Sequence, residues 1–368
     1  MSKPRLNSLR SLIVAAAAAM LLACGSESSS KHTAYQEPRT ADVAVAGIID
    51  HSVIPAAENF YTQAAQLDSA AQNFCAAITP TNLAQVQNQW KQTSTAWYRL
   101  LPFNFGPTIN DIVEPEYIYI DALRHRGINN TESIRADIRT MMDADTALTL
   151  ADFQQKGNQL RGLLALEILL FEHHNTASNS AAEILDDYTN SHKCAILSIY
   201  SNRLAVRAES IVSGWTNNYK NSGKSYRDLL INGELESIKT PEDGAPAAEK
   251  LIVSAQEYFD YVPRRLVLDK AAQLSGNIYP QLMASVAAVE HMVEGQANSE
   301  DSFSALLTEN SPRYLFTIRS NIQRAKDSIN DGNNADIYAA FRLLDGNMKR
   351  ELKDGIGIGL GLSFSDGD

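Results

Sequence analysis

The segment from Leu163 to Phe171, LLALEILLF, holds a single polar side chain, Glu167. Wound into a helix, such a run is apolar on every side, so it has no face for water and must be enclosed by other elements. The rest of the chain is patterned to supply them. Apolar residues recur at steps of three and four, Leu, Ala, Gln and Glu are common, and no sustained alternation marks a strand. The expected fold class is all-α, built as two helical-bundle halves.

Helices are expected over about 42–78, bent near Pro55 because proline has no N–H for the backbone ladder. Others follow over 83–101, with Trp90 and Trp97 on one face, and over 117–124, 132–142, 152–173 and 181–217. A polar hinge at 218–224 sets the expected division into halves, 41–217 and 218–368. The second half is expected to hold helices over 248–259, 271–294, 312–329 and 335–352, with a loop at 240–246. Self-similarity between the halves is weak, so duplication rests on helix count alone. Trp90, Trp97, Phe103 and Phe105 read as core rather than as the wall of a ligand pocket. The Gly-rich tail GIGIGLGLSFSDGD is expected to pack against the body through its Ile, Leu and Phe side chains.

At the N-terminus Lys3, Arg5 and Arg10 precede an apolar run, Leu12 to Ala23, the order of an export signal. The run is short of the ~20 residues that span a bilayer. Leu21, Leu22, Ala23 and Cys24 have the spacing of a lipobox, so Cys24 is expected to carry lipid and become the mature N-terminus. Gly25 after it points to the periplasmic face of the outer membrane in a Gram-negative cell. Residues 25–40 are small and polar and suit a flexible tether.

The chain has 32 Lys and Arg against 43 Asp and Glu, a formal charge of −11; removing residues 1–23 takes away three basic groups, 29 minus 43, leaving −14. That balance disfavours nucleic acid and anionic membrane surfaces as partners. Cys75 and Cys194, in an exported protein, are expected either to form a disulfide or to be two buried thiols, and neither belongs to a CxxC motif.

Three stretches, AWYRLLPFNFGP (96–107), RGLLALEILLF (161–171) and LGLSFSDGD (360–368), make the chain resemble the imelysin-like family of bacterial envelope proteins. The resemblance implies an all-helical fold of two bundle-like halves, a place in the cell envelope, and a connection with iron uptake; the family also carries a peptidase label. Members credited with metal binding have GxHxxE on a helix. Here Gly162 and Glu167 stand at the outer positions, but Leu164 replaces the histidine, and leucine has no lone pair for a metal. The chain resembles the branch that lacks this histidine.

Glu167 is the most informative acid in the sequence, since a carboxylate inside an apolar helix must find a partner or take up a proton. It either lines a pocket or forms a structural pair. His291 and Glu294 are the only HxxE pair, and His173 and His174 close the Glu167 helix. These four residues and Glu167 are candidate ligands for iron or another divalent metal, although histidines near helix C-termini are also favoured by the dipole. No HExxH, ExxH or GxSxG motif occurs, so no catalytic residue is assigned. The resulting expectation is a periplasm-facing lipoprotein of iron uptake that binds a metal, a metal complex or an envelope partner. A metallopeptidase and a scaffold lipoprotein without a small ligand are the alternatives.

Overall fold

A computed structural model describes residues 41–109, 116–121, 131–144, 148, 162–173, 180–238, 245–296 and 302–358. Cys24, His174 and the tail from residue 359 lie outside the described residues, as do 122–130 and 149–161. Every regular element among the described residues is a helix. In chain order these are α1 (Ala41–Ile48), α2 (Ile54–Ala76), α3 (Pro80–Leu100), α4 (Glu116–Ile120), α5 (Thr131–Met142), α6 (Leu163–Phe171), α7 (Ala181–Asn190) and α8 (Lys193–Thr216). They continue with α9 (Tyr226–Ile231), α10 (Ala247–Arg264), α11 (Ile278–Glu294), α12 (Phe303–Asn310), α13 (Pro312–Asp331), α14 (Asn334–Asn347) and α15 (Lys353–Ile356).

Several boundaries differ from the sequence expectation, each for a local reason. The bend expected at Pro55 is a five-residue π-helical segment, Ile49–Val53, so that Pro55 falls in the first turn of α2, where its missing N–H is harmless. The single helix expected over 181–217 is two helices. Ser191 breaks it: its backbone is extended, and its hydroxyl donates to the Asp187 carbonyl and accepts from the Lys193 N–H. The helix expected from 271 begins only at Ile278, because Ala272 and Gly276 adopt left-handed backbone (φ +50° and +66°). The helix expected to run through 335–352 passes into a π-helical segment at Met348–Leu352, and α9 and α12 are helices that the periodicity did not signal.

The described residues, from 41 to 358, belong to one compact unit. In it α3 is central, packed along α2 on one side and α11 on the other, while α8 packs on α2, and α10 and α13 pack on α14. The N-terminal α1 packs on α10 and α12, so helices early in the chain sit among those after residue 224. The polar stretch 218–224 is a tied turn: the Tyr219 N–H donates to the Lys224 carbonyl, and the Tyr219, Tyr226, Trp215 and Phe105 rings meet edge to face. Trp90, Trp97, Phe103 and Phe105 are all buried. The sulfurs of Cys75 and Cys194 are 2.11 Å apart in a disulfide that ties α2 to α8. No described helix is long and apolar enough to cross a membrane.

Candidate functional site

All nine residues of α6 are buried, as an all-round apolar helix requires. The helix begins abruptly at Gly162, whose backbone is extended. Glycine is required there by closeness rather than by φ: a Cβ would lie 2.5 Å from the Ile120 carbonyl oxygen, a backbone atom with no room to yield. The helix expected over 152–173 therefore starts at Leu163 in its described part.

The carbonyls at the other end of a buried helix need donors from outside it. Tyr188 Oη donates to the Leu169 carbonyl, Gln87 Nε2 to that of Leu170, and Lys193 Nζ to that of Glu172, at 2.8, 2.7 and 2.8 Å. Lys193 is 1% exposed; its ammonium pairs with Asp187 at 3.0 Å, and burial holds its pKa below the ordinary lysine range even so. His173 Nε2 lies 3.2 Å from the other Asp187 oxygen. Glu172 takes a two-pronged bond from Arg135, which also bonds Glu132. The C-terminal end of α6 is thus held by a network of charged and polar side chains, in which His173 contacts Asp187.

Glu167 is 2% exposed. One carboxylate oxygen accepts the Ser275 N–H at 2.8 Å. Burial, opposed by hydrogen bonds from Ser275 and Leu274, raises its pKa above the ordinary carboxyl value. The amide reaches it because the chain before α11 doubles back through left-handed Leu266 and Ala272. The carboxylate lines a cavity of about 20 Å³ with Leu164, Trp90, Tyr98, Asp121, Ala272 and Gln281. That volume holds about one water. Gln281 Oε1 has no hydrogen-bond partner among the described residues, and burial together with Asp121 pushes the Tyr98 phenol well above its ordinary pKa. No spacing pattern pointed to Ser275, Asp121, Tyr98 or Gln281; they come from three other parts of the chain.

The HxxE pair is split. Glu294 takes a two-pronged bond from Arg319, whereas His291 Nδ1 is 2.7 Å from the Ser52 hydroxyl. Burial first, then the charges of Arg99 and His51, hold His291 below the ordinary imidazole pKa. An α-helix does bring i and i+3 to one face, but here each side chain is engaged by a different neighbour.

These residues do not fit a bound metal ion. At the motif, Leu164 offers no ligand and Glu167 is engaged by a backbone amide; among the described residues no group of three or more His, Cys, Asp or Glu is placed to hold an ion.

The imelysin family model, designated Peptidase_M75, matches residues 53–351. The chain belongs to the imelysin family. Its fold is similar to two solved structures. One is an imelysin-like protein from Psychrobacter arcticum 273-4, with 18% identity, TM-score 0.66, and 89% of this chain and 98% of that one covered. The other is a proposed iron-regulated protein A precursor from Parabacteroides distasonis ATCC 8503, with 16% identity, TM-score 0.57, and coverage of 89% and 95%. No curated protein matches the chain.

A second and far larger cavity, about 560 Å³, lies across α3 from Glu167, where α2, α3 and α11 meet.

Proposed function

We propose that this imelysin is a non-catalytic binding protein of iron acquisition, held in the cell envelope by lipid on Cys24, which handles iron as a complex or through a partner rather than as a bare ion at Glu167. One observation carries the reading. At the motif the family uses for metal, a leucine and an amide-bonded glutamate line a space the size of a single water. Membership of the imelysin family and the likeness to an iron-regulated precursor support the link with iron; the export signal and lipobox support the envelope.

The test is physiological. Under iron limitation the protein should rise in abundance and its deletion should slow growth, both reversed by excess iron. Indifference to iron in both measurements would remove the iron reading, and metal-dependent cleavage of a protein substrate, abolished by Glu167→Ala, would replace it with a peptidase. Incorporation of labelled fatty acid, lost in Cys24→Ala, checks the anchor.

A further inference from the structure

We propose that the groove between α2, α3 and α11 binds an oxygen-rich small oligoanion of the polycarboxylate class. It is a broad groove of about 560 Å³ that opens to solvent. On α3 it is lined by Asn88, Lys91, Gln92, Thr95 and Arg99, which recur at helical spacing on one face. Asn59 and Gln63 from α2 and Asn277 at the start of α11 face them. The lining contains two cations and five carboxamides but no Asp or Glu, in a chain whose carboxylates outnumber its cations by 43 to 32.

The two cations are the telling groups. Several half-buried or buried cations elsewhere have a carboxylate partner, among them Lys193, Arg135, Arg207 and Arg227. Among the described residues Lys91 has only the Phe171 ring at the end of α6, 5.8 Å from its ammonium, and Arg99 has no ion pair or hydrogen bond. Arg99 is also close enough to the His291 imidazole to oppose its protonation. The N-terminus of α11, which enters the groove at Asn277, adds its dipole.

The polar groups between are oriented. Asn277 Nδ2 donates to the Lys91 carbonyl and to the Ser94 and Thr95 hydroxyls, which fixes the amide and leaves its Oδ1 as an acceptor. Gln63 Oε1 accepts from Gln89, which leaves the Gln63 NH2 as a donor. A guanidinium and planar amides match planar carboxylates edge to edge, and hydroxyls on the same ligand would meet the amide oxygen. Two cations set about 12 Å apart along α3, with amides between, suit several oxyanions spread through one ligand better than one compact tetrahedral ion.

A free polycarboxylate and its ferric chelate present the same chemistry, and the inference stands without iron. Calorimetry on the full chain in detergent, titrated with citrate, ferric citrate and inorganic phosphate, tests it. Citrate or ferric citrate should bind, and the double variant Lys91→Gln, Arg99→Gln should weaken binding at least ten-fold with an unchanged melting temperature. Binding of ferric citrate alone identifies the chelate as the source; binding of iron-free citrate supports the groove while counting against iron as its cargo. Should the double variant misfold, Gln92→Glu, which adds a negative charge at an exposed lining position, should weaken binding comparably. No binding of either citrate form at millimolar concentration, binding of phosphate alone, or wild-type affinity in a folded variant would overturn the proposal.

Discussion

The two sides of α3 show opposite treatments of charge. Towards α6, Trp90 and Tyr98 close over Glu167, and the charged groups around that helix are paired or bonded to backbone in a space that admits one water. Towards α2 and α11, an open groove is lined by Lys91 and Arg99 with no Asp or Glu, although the Lys91 ammonium also reaches the Phe171 ring of α6. Leu164 and Glu167 both lie on the closed side. The contrast is between an acid enclosed by packing and bonded to a backbone amide, and two cations that face no carboxylate among the described residues.

The sharpest way to break this contrast is to attack the closed side where its charges are most deeply buried. Asp187→Ala leaves the Lys193 ammonium buried without its partner, and should lower unfolding free energy by about 3–5 kcal/mol in urea denaturation; a loss within error would mean that the network does not hold α6. Gly162→Ala drives a methyl into the Ile120 carbonyl and should cost about 1–3 kcal/mol by the same measurement. Leu164→His places an imidazole in the cavity that Glu167 and Asp121 line. It should raise zinc affinity at least ten-fold over the wild type in calorimetry, about 1.4 kcal/mol; no gain would show that position 164 cannot serve a metal in this fold.

Glu167→Gln keeps an acceptor for the Ser275 amide but does not titrate. Because the folded pKa of Glu167 is raised, the carboxyl favours folding below its ordinary pKa, and that contribution is lost as pH rises through the raised value. The variant should therefore gain stability relative to wild type as pH rises from 4 towards neutrality. A falling difference would mean that the native site favours the carboxylate. The smallest effect belongs to the open side: Lys91→Gln and Arg99→Gln should each leave unfolding free energy within about 0.5 kcal/mol of wild type, since neither cation is paired. A larger loss would make the groove a structural element.

The helical class was legible before any coordinates, because apolar spacing of three and four residues has no other economical solution, and the run 163–171 announced its own burial. The aromatic stripe read as core for the same reason: Trp90 and Trp97 share a helical face, and that face is buried. Helical periodicity failed where the backbone left the helix at single residues. Ser191 ends α7 beside the buried Lys193, and the left-handed residues before Ile278 bring the Ser275 amide to Glu167.

Periodicity is a property of one segment, so it carried the helices and their buried faces. Partnership is a property of several: His291 with Ser52, Glu294 with Arg319, and Glu167 with Ser275 join positions 25 to 239 residues apart. No spacing along the chain encodes which of these meet. Packing therefore divided the candidate metal ligands among separate neighbours and gathered Lys91, Arg99 and the carboxamides around one groove, because only the folded chain sets the distances over which charge and hydrogen bonding act.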